Sequence, residues 1–64
     1  MSDTQPRNGA HVLDRKPRGD DELVLCKWHG HYPFVTWRMD RYGNCEHGHY
    51  FETIARAVLD FHTR

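Results

Sequence analysis

Two short segments hold most of the side chains suited to metal or acid–base chemistry. The first reads Cys26-Lys27-Trp28-His29-Gly30-His31 and the second Cys45-Glu46-His47-Gly48-His49. Thiolate and neutral imidazole are the donors that bind Zn2+. Cys26 and His29 stand at C-x2-H spacing, followed by Gly30, which tolerates the positive φ a tight ligand turn needs. Cys45 and His49 stand at C-x3-H spacing, with Gly48 just before the second donor. The fifteen residues between His29 and Cys45 are enough for a strand and a return turn. Cys26, His29, Cys45 and His49 are therefore expected to form a closed tetrahedral Zn2+ site. His47 is the alternative to His49, at a spacing tighter for chelation, and His31 reads as a surface or supporting imidazole. His11 and His62 read as solvated. A Cys26–Cys45 disulfide or two plain buried thiols compete with the metal, but neither accounts for the His clustered beside both Cys.

The elements that must position these groups follow from patterning. Residues 1–21 lack aromatics and contain one aliphatic pair, Val12-Leu13, so they are expected to be a flexible tail, with a short strand at 11–13 only if a sheet edge is offered. Residues 22–64 are expected to be the domain. Residues 22–27 and 34–39 read as strands, the second with Val35, Trp37 and Met39 on one face. His29-Gly30-His31 and Tyr42-Gly43-Asn44 mark turns. Phe51, Ile54, Ala55, Val58 and Phe61 recur at helical spacing, which predicts a helix at about 51–62. The expected fold is a small α+β unit, a zinc-stabilised β-hairpin followed by one C-terminal helix (ββα), with a disordered N-terminal tail.

Cys26-Lys-Trp-His29-Gly30 facing Cys45-Glu-His-Gly-His49 resembles the ligand knuckles of small single-zinc proteins of the zinc-ribbon and treble-clef type. The similarity covers about residues 22–62. It implies a metal that organises the fold and no vacant coordination position. The short tail, the compact finger and a choice of Arg over Lys also resemble small proteins of viruses of high-GC (actinobacterial) bacteria, which implies a host-modulating role in the host cytoplasm.

Composition limits function further. The chain has 64 residues, 38% of them hydrophobic, with nine Lys/Arg against nine Asp/Glu. Residues 1–21 and 22–64 are each balanced, so no basic half exists for strong phosphate binding. No apolar run could span a membrane, and the polar, acidic start does not read as a secretory signal, so a cytoplasmic monomer is expected. The leading expectation is a non-enzymatic module that binds another protein, with Trp28, Tyr32, Arg38 and Arg41 as candidate partner-binding residues. The alternative is a nucleic-acid-binding zinc finger in transcription regulation, in which Lys27, Arg38, Arg41 and Arg56 converge with Trp28 and Tyr32. A metal-dependent nuclease ranks third, because so short a core leaves little concave surface.

Overall fold

The computed structural model describes residues 3–64. Strands β1 (His11–Arg18), β2 (Asp21–Lys27), β3 (Phe34–Met39) and β4 (Cys45–Phe51) precede helix α1 (Ile54–Thr63). The strands form one antiparallel sheet in the order β1-β2-β3-β4. The expected two-stranded ββα zinc finger with a disordered tail is thus corrected to a four-stranded meander with a helix across one face. The strand allowed at 11–13 runs on to Arg18, and β4 stands where a ligand turn is expected.

β1 comes from the stretch read as tail. Its sequence is mostly charged, but an edge strand needs partners for its backbone more than apolar side chains. β2 supplies them from His11↔Lys27 to Arg18↔Asp21, through a two-residue Gly19-Asp20 connection in which Gly19 has φ +62. Side chains add to the pairing: Arg15 meets Glu22 at 3.3 Å, and the Lys16 ammonium lies 5.0 Å from the Phe61 ring centre. β4 was read as a ligand turn running into the helix. It alternates between the two faces of the sheet, and its C-terminal residue Phe51 pairs with Phe34. The helix consequently starts at Ile54, capped by Thr53, whose hydroxyl accepts from Arg56 N at 3.4 Å. Its buried residues are Ala57 and Phe61, while Ile54 and Ala55 are exposed.

β2 lies under cover on both sides, which explains its unbroken buried run Leu23-Val24-Leu25-Cys26. Leu23 and Leu25 face α1 and pack with Ala57 and Phe61, flanked by Phe34, Phe51 and Val58. Val24 and Cys26 face the other way and pack with Val35, Trp37, Met39 and Ala10, flanked by Val12, Trp28 and Cys45. The second face is closed by residues 3–10. That segment is tied to the β3–β4 turn, where Arg7 N donates to Gly43 O at 2.9 Å, and then reaches the opposite corner of the sheet at His11. Pro6 and Ala10 are buried along the way.

Gly43 makes this crossing fit. Its φ is +86, and a Cβ there would overlap the Gln5 carbonyl oxygen and press on Arg7 N at 3.3 Å. Gly19 also has positive φ, but nothing lies within 4 Å of its would-be Cβ. Gly19→Ala should therefore cost only the left-handed backbone penalty, ~1–2 kcal/mol. Gly43→Ala should cost more than Gly19→Ala in a denaturant melt and should strip hydrogen-exchange protection from the Arg7 amide. Equal costs, with that amide still protected, would show that the segment does not seat against Gly43.

Candidate functional site

The expected ligands are not brought to one place. Cys26 is fully buried under the N-terminal segment, and Cys45 is half-buried at the margin of the same cluster. His29 is exposed in the β2–β3 loop, stacked on Trp28 with ring centres 4.4 Å apart. His49 projects from the other face of the sheet, toward α1. The β4 pair is separated because Arg38↔Glu46 and Thr36↔His49 bracket a bulge, so His47 and Gly48 together oppose Trp37. His47 takes φ +53, and a Cβ on Gly48 would come within 2.7 Å of the Trp37 indole nitrogen. Gly48 thus makes room for Trp37 rather than for a ligand turn. The residues do not fit a closed two-Cys, two-His zinc centre. Among the described residues no three His, Cys, Asp or Glu side chains gather as a metal site.

The cysteines do not suit a disulfide either. Cys26 pairs with Val35 and Cys45 with Met39, on opposite sides of β3. Two strand spacings alone put their Cα atoms about 10 Å apart, beyond the ~7 Å a disulfide spans. Burial, reinforced by the neighbouring Cys45, pushes the Cys26 thiol up to about 12. Burial and the Asp40 charge raise Cys45 as well.

The candidate partner-binding residues also divide between the two ends of the sheet. Trp28 packs edge-on against Trp37, with ring centres 5.4 Å apart, and covers the core. Tyr32 is exposed beside it. At the far end Arg38 bonds Asp21 at 2.8 Å, and the Arg41 guanidinium lies 5.2 Å from the Tyr42 ring centre. They form no common surface with Trp28 and Tyr32.

Two features escaped the sequence reading. The first is a polar cluster that docks α1 on the sheet. The Thr36 hydroxyl, on a residue with no exposed surface, donates to Asp60 Oδ2 at 2.6 Å and accepts from Arg64 Nη1 at 2.9 Å. His49 Nδ1 donates to both Asp60 oxygens at 3.0 and 3.1 Å, and Arg64 Nη2 donates to His47 O at 2.9 Å. Burial pushes the Asp60 carboxyl up. The bonds from Thr36 and His49 and the charges of His49 and Arg64 outweigh it, leaving the group below the ordinary aspartate value.

The second is a groove along α1. One open hollow of about 410 Å3 is lined by Tyr32, Tyr50, Phe51, Glu52, Thr53 and Arg56. Another of about 470 Å3 is lined by Phe51, Arg56, Leu59, Asp60 and Thr63. Phe51 and Arg56 line both, which sets the hollows side by side as a trough along the flank of α1, while the Tyr50 ring turns to the opposite face of the sheet against Trp37. Among the described residues no strand pairs with the outer edge of β4. Leu59 is 66% exposed, Tyr50 52% and Tyr32 48%.

No protein-family model, curated protein or solved structure matches the chain. The likeness to zinc-ribbon, treble-clef and viral proteins draws no support from them. No helix among the described residues is long and apolar enough to cross a membrane.

Two measurements check the site. A carboxyl with a depressed folded value binds its proton more readily in the unfolded chain, so its contribution is present above an unfolded value of ~3.9 and is lost as pH falls through the folded one. Stability of the wild type should therefore drop below about pH 4. Asp60→Asn should be less stable at neutral pH and should show a shallower acid limb; an identical limb would remove Asp60 as its source. Separately, EDTA should leave the melt and the dispersed NMR spectrum intact, and Cys26 should resist iodoacetamide until the protein unfolds. Collapse of the spectrum on chelation would restore a metal to the fold.

Proposed function

We propose that this protein is a non-enzymatic interaction module that takes an extended segment of another protein along β4 and the flank of α1. The observation that carries the reading is the coincidence of a free strand edge with an aromatic-lined trough. An extended peptide added beside His49–Phe51 would gain main-chain hydrogen bonds from β4, and its alternate side chains would fall into the trough. Phe51 forms part of the floor, and Tyr32 and Leu59 offer large exposed side chains of the kind that anchor interfaces.

The contrast between the two sheet edges supports the choice of β4. β1 is guarded by Pro17, which has no amide hydrogen, by a bulge that leaves Leu13 out of register, and by Asp14, Arg15, Lys16 and Arg18. β4 has its bulge at His47–Gly48, and from His49 to Phe51 it is regular and carries no Lys, Arg, Asp or Glu. Nucleic-acid binding is less well supported. Lys27 and Arg56 lie toward one end of the molecule, Arg38 and Arg41 toward the other, and Arg38 is held by Asp21.

A displayed library of short random peptides should yield binders whose addition shifts the amide resonances of His49–Phe51 and of α1 from Arg56 to Thr63. Leu59→Ala should weaken such binders about tenfold, with little change in the melt because its side chain is exposed. Binders that shift only β1, or shifts confined to the β2–β3 loop, would overturn the β4 assignment.

A further inference from the structure

We infer that Asn8-Gly9 is a site of backbone modification, where opening of residues 3–10 lets Asn8 become isoaspartate and the product cannot seat again. The chain has two asparagines, Asn8 and Asn44, and only Asn8 precedes a glycine. An asparagine carboxamide is attacked by the backbone nitrogen of the next residue, and a glycine there puts no side chain in the way. Asn8 and Gly9 are both exposed, and nothing lies within 4 Å of where a Gly9 Cβ would stand. Asn44 is the opposite case. It is followed by Cys45, and its Nδ2 and main-chain amide each donate to the Asp40 carboxylate at 3.0 Å. The two sites differ in both access and restraint.

The reaction needs no partner but water. The Gly9 nitrogen gives up its proton and bonds Asn8 Cγ; the Cγ–Nδ2 bond breaks, and ammonia leaves with that proton. Water then opens the cyclic imide. Attack at Cγ gives aspartate, whereas attack at the main-chain carbonyl gives isoaspartate, whose backbone is one methylene longer. The fold sets when this happens. Gly9 N donates to Pro6 O at 3.1 Å, and Asn8 Oδ1 accepts from Ala10 N at 2.9 Å. Ring closure needs the nitrogen without its proton and the carboxamide free to turn, so both bonds must open first. The flanks are fixed as well, since Pro6 and Ala10 are buried and Arg7 N donates to Gly43 O at 2.9 Å. Reaction therefore belongs to the locally opened chain. An added backbone atom between Arg7 and Ala10 then keeps Ala10 from packing over Cys26 while Arg7 stays on Gly43.

The test ages the full chain in mildly alkaline buffer and maps isoaspartate by mass spectrometry. The change should fall at Asn8 and leave Asn44 intact. It should run about tenfold faster in urea than in buffer, because the restraining hydrogen bonds are gone. Gly43→Ala, which unseats Arg7, should move the rate in buffer toward the rate in urea. The isolated isoaspartyl protein should let iodoacetamide reach Cys26 without denaturant while the amides of β2 and β3 keep their NMR dispersion. Asn8→Asp keeps the backbone length and the acceptor for Ala10, so its Cys26 should stay protected. Modification first at Asn44, or equal rates in buffer and urea, overturns the inference. So does an isoaspartyl product whose Cys26 is as protected as in Asn8→Asp, which would show that the segment seats again, or one whose whole spectrum collapses, which would show that the damage is not local.

Discussion

The hydrogen bond from Thr36 to Asp60 governs how this small protein is put together. A hydroxyl with no exposed surface in the middle of a sheet is costly to leave unpaired, ~1–3 kcal/mol, so the chain must bring a partner to it. Asp60 is that partner, and reaching it sets both the rotation of α1 and its distance from β3. Arg64 then takes the remaining capacity of the hydroxyl and the carbonyl of His47, which ties the end of the helix to the bulge in β4. Arg18 reaches the Arg64 carbonyl from β1, so the same corner also joins the first strand. Buried polar networks of this kind specify one arrangement where apolar contacts alone would allow several. The helix contributes Ala57, Val58 and Phe61 to the apolar contact, packed with Leu23, Leu25, Phe34 and Phe51.

The opposite face solves the same problem without a helix. Val24, Cys26, Val35, Trp37 and Met39 need a lid, and residues 3–10 provide one from Pro6, Ala10 and a few backbone bonds. The turn that receives this segment is rigid: Asp40 Oδ1 accepts from the amides of Tyr42 and Asn44 at 2.8 and 3.0 Å, and Asn44 Nδ2 donates to Oδ2 at 3.0 Å. Gly43 is then presented with its carbonyl toward Arg7. A chain of 64 residues thus covers both sides of a sheet with only ten residues of helix and eight of strap. Cys26 finds its place in that economy as a small apolar side chain, which is the commonest role of a buried free thiol.

Much of this was visible in the sequence, and the parts that were not share a cause. The β2 and β3 strands, both turns around Gly30 and Gly43, and a C-terminal helix follow from local patterning. β1 does not, because its stability comes from β2 and not from its own side chains. Val12-Leu13 allowed only a short conditional strand, and the Gly19-Asp20 turn that extends it to Arg18 is legible only beside β2. β4 was obscured by its donors: Cys45, His47 and His49 invite a ligand reading, yet a strand sends alternate side chains to opposite faces and a bulge disturbs the count, which only pairing with β3 reveals. His49 and Asp60 are eleven residues apart and Thr36 is further still, so their cluster depends on tertiary placement that spacing alone cannot show. Gly48 was read as a ligand-turn residue, whereas the indole over it explains the glycine more simply.

The docking cluster and the trough are connected. Because Asp60 and Arg64 hold the helix from its sheet side, the neighbouring Leu59 is turned outward, and Arg56, one turn earlier, comes to stand at the junction of the two hollows. His49 belongs to both features, since it anchors Asp60 through Nδ1 and begins the regular stretch of β4 left open beyond the bulge. A strand laid beside His49–Phe51 would pack against the same residue that holds the helix. Occupancy would therefore stabilise the folded chain by mass action, through β4 and α1 together. A partner strand on that edge would also cover part of Leu59, which is 66% exposed.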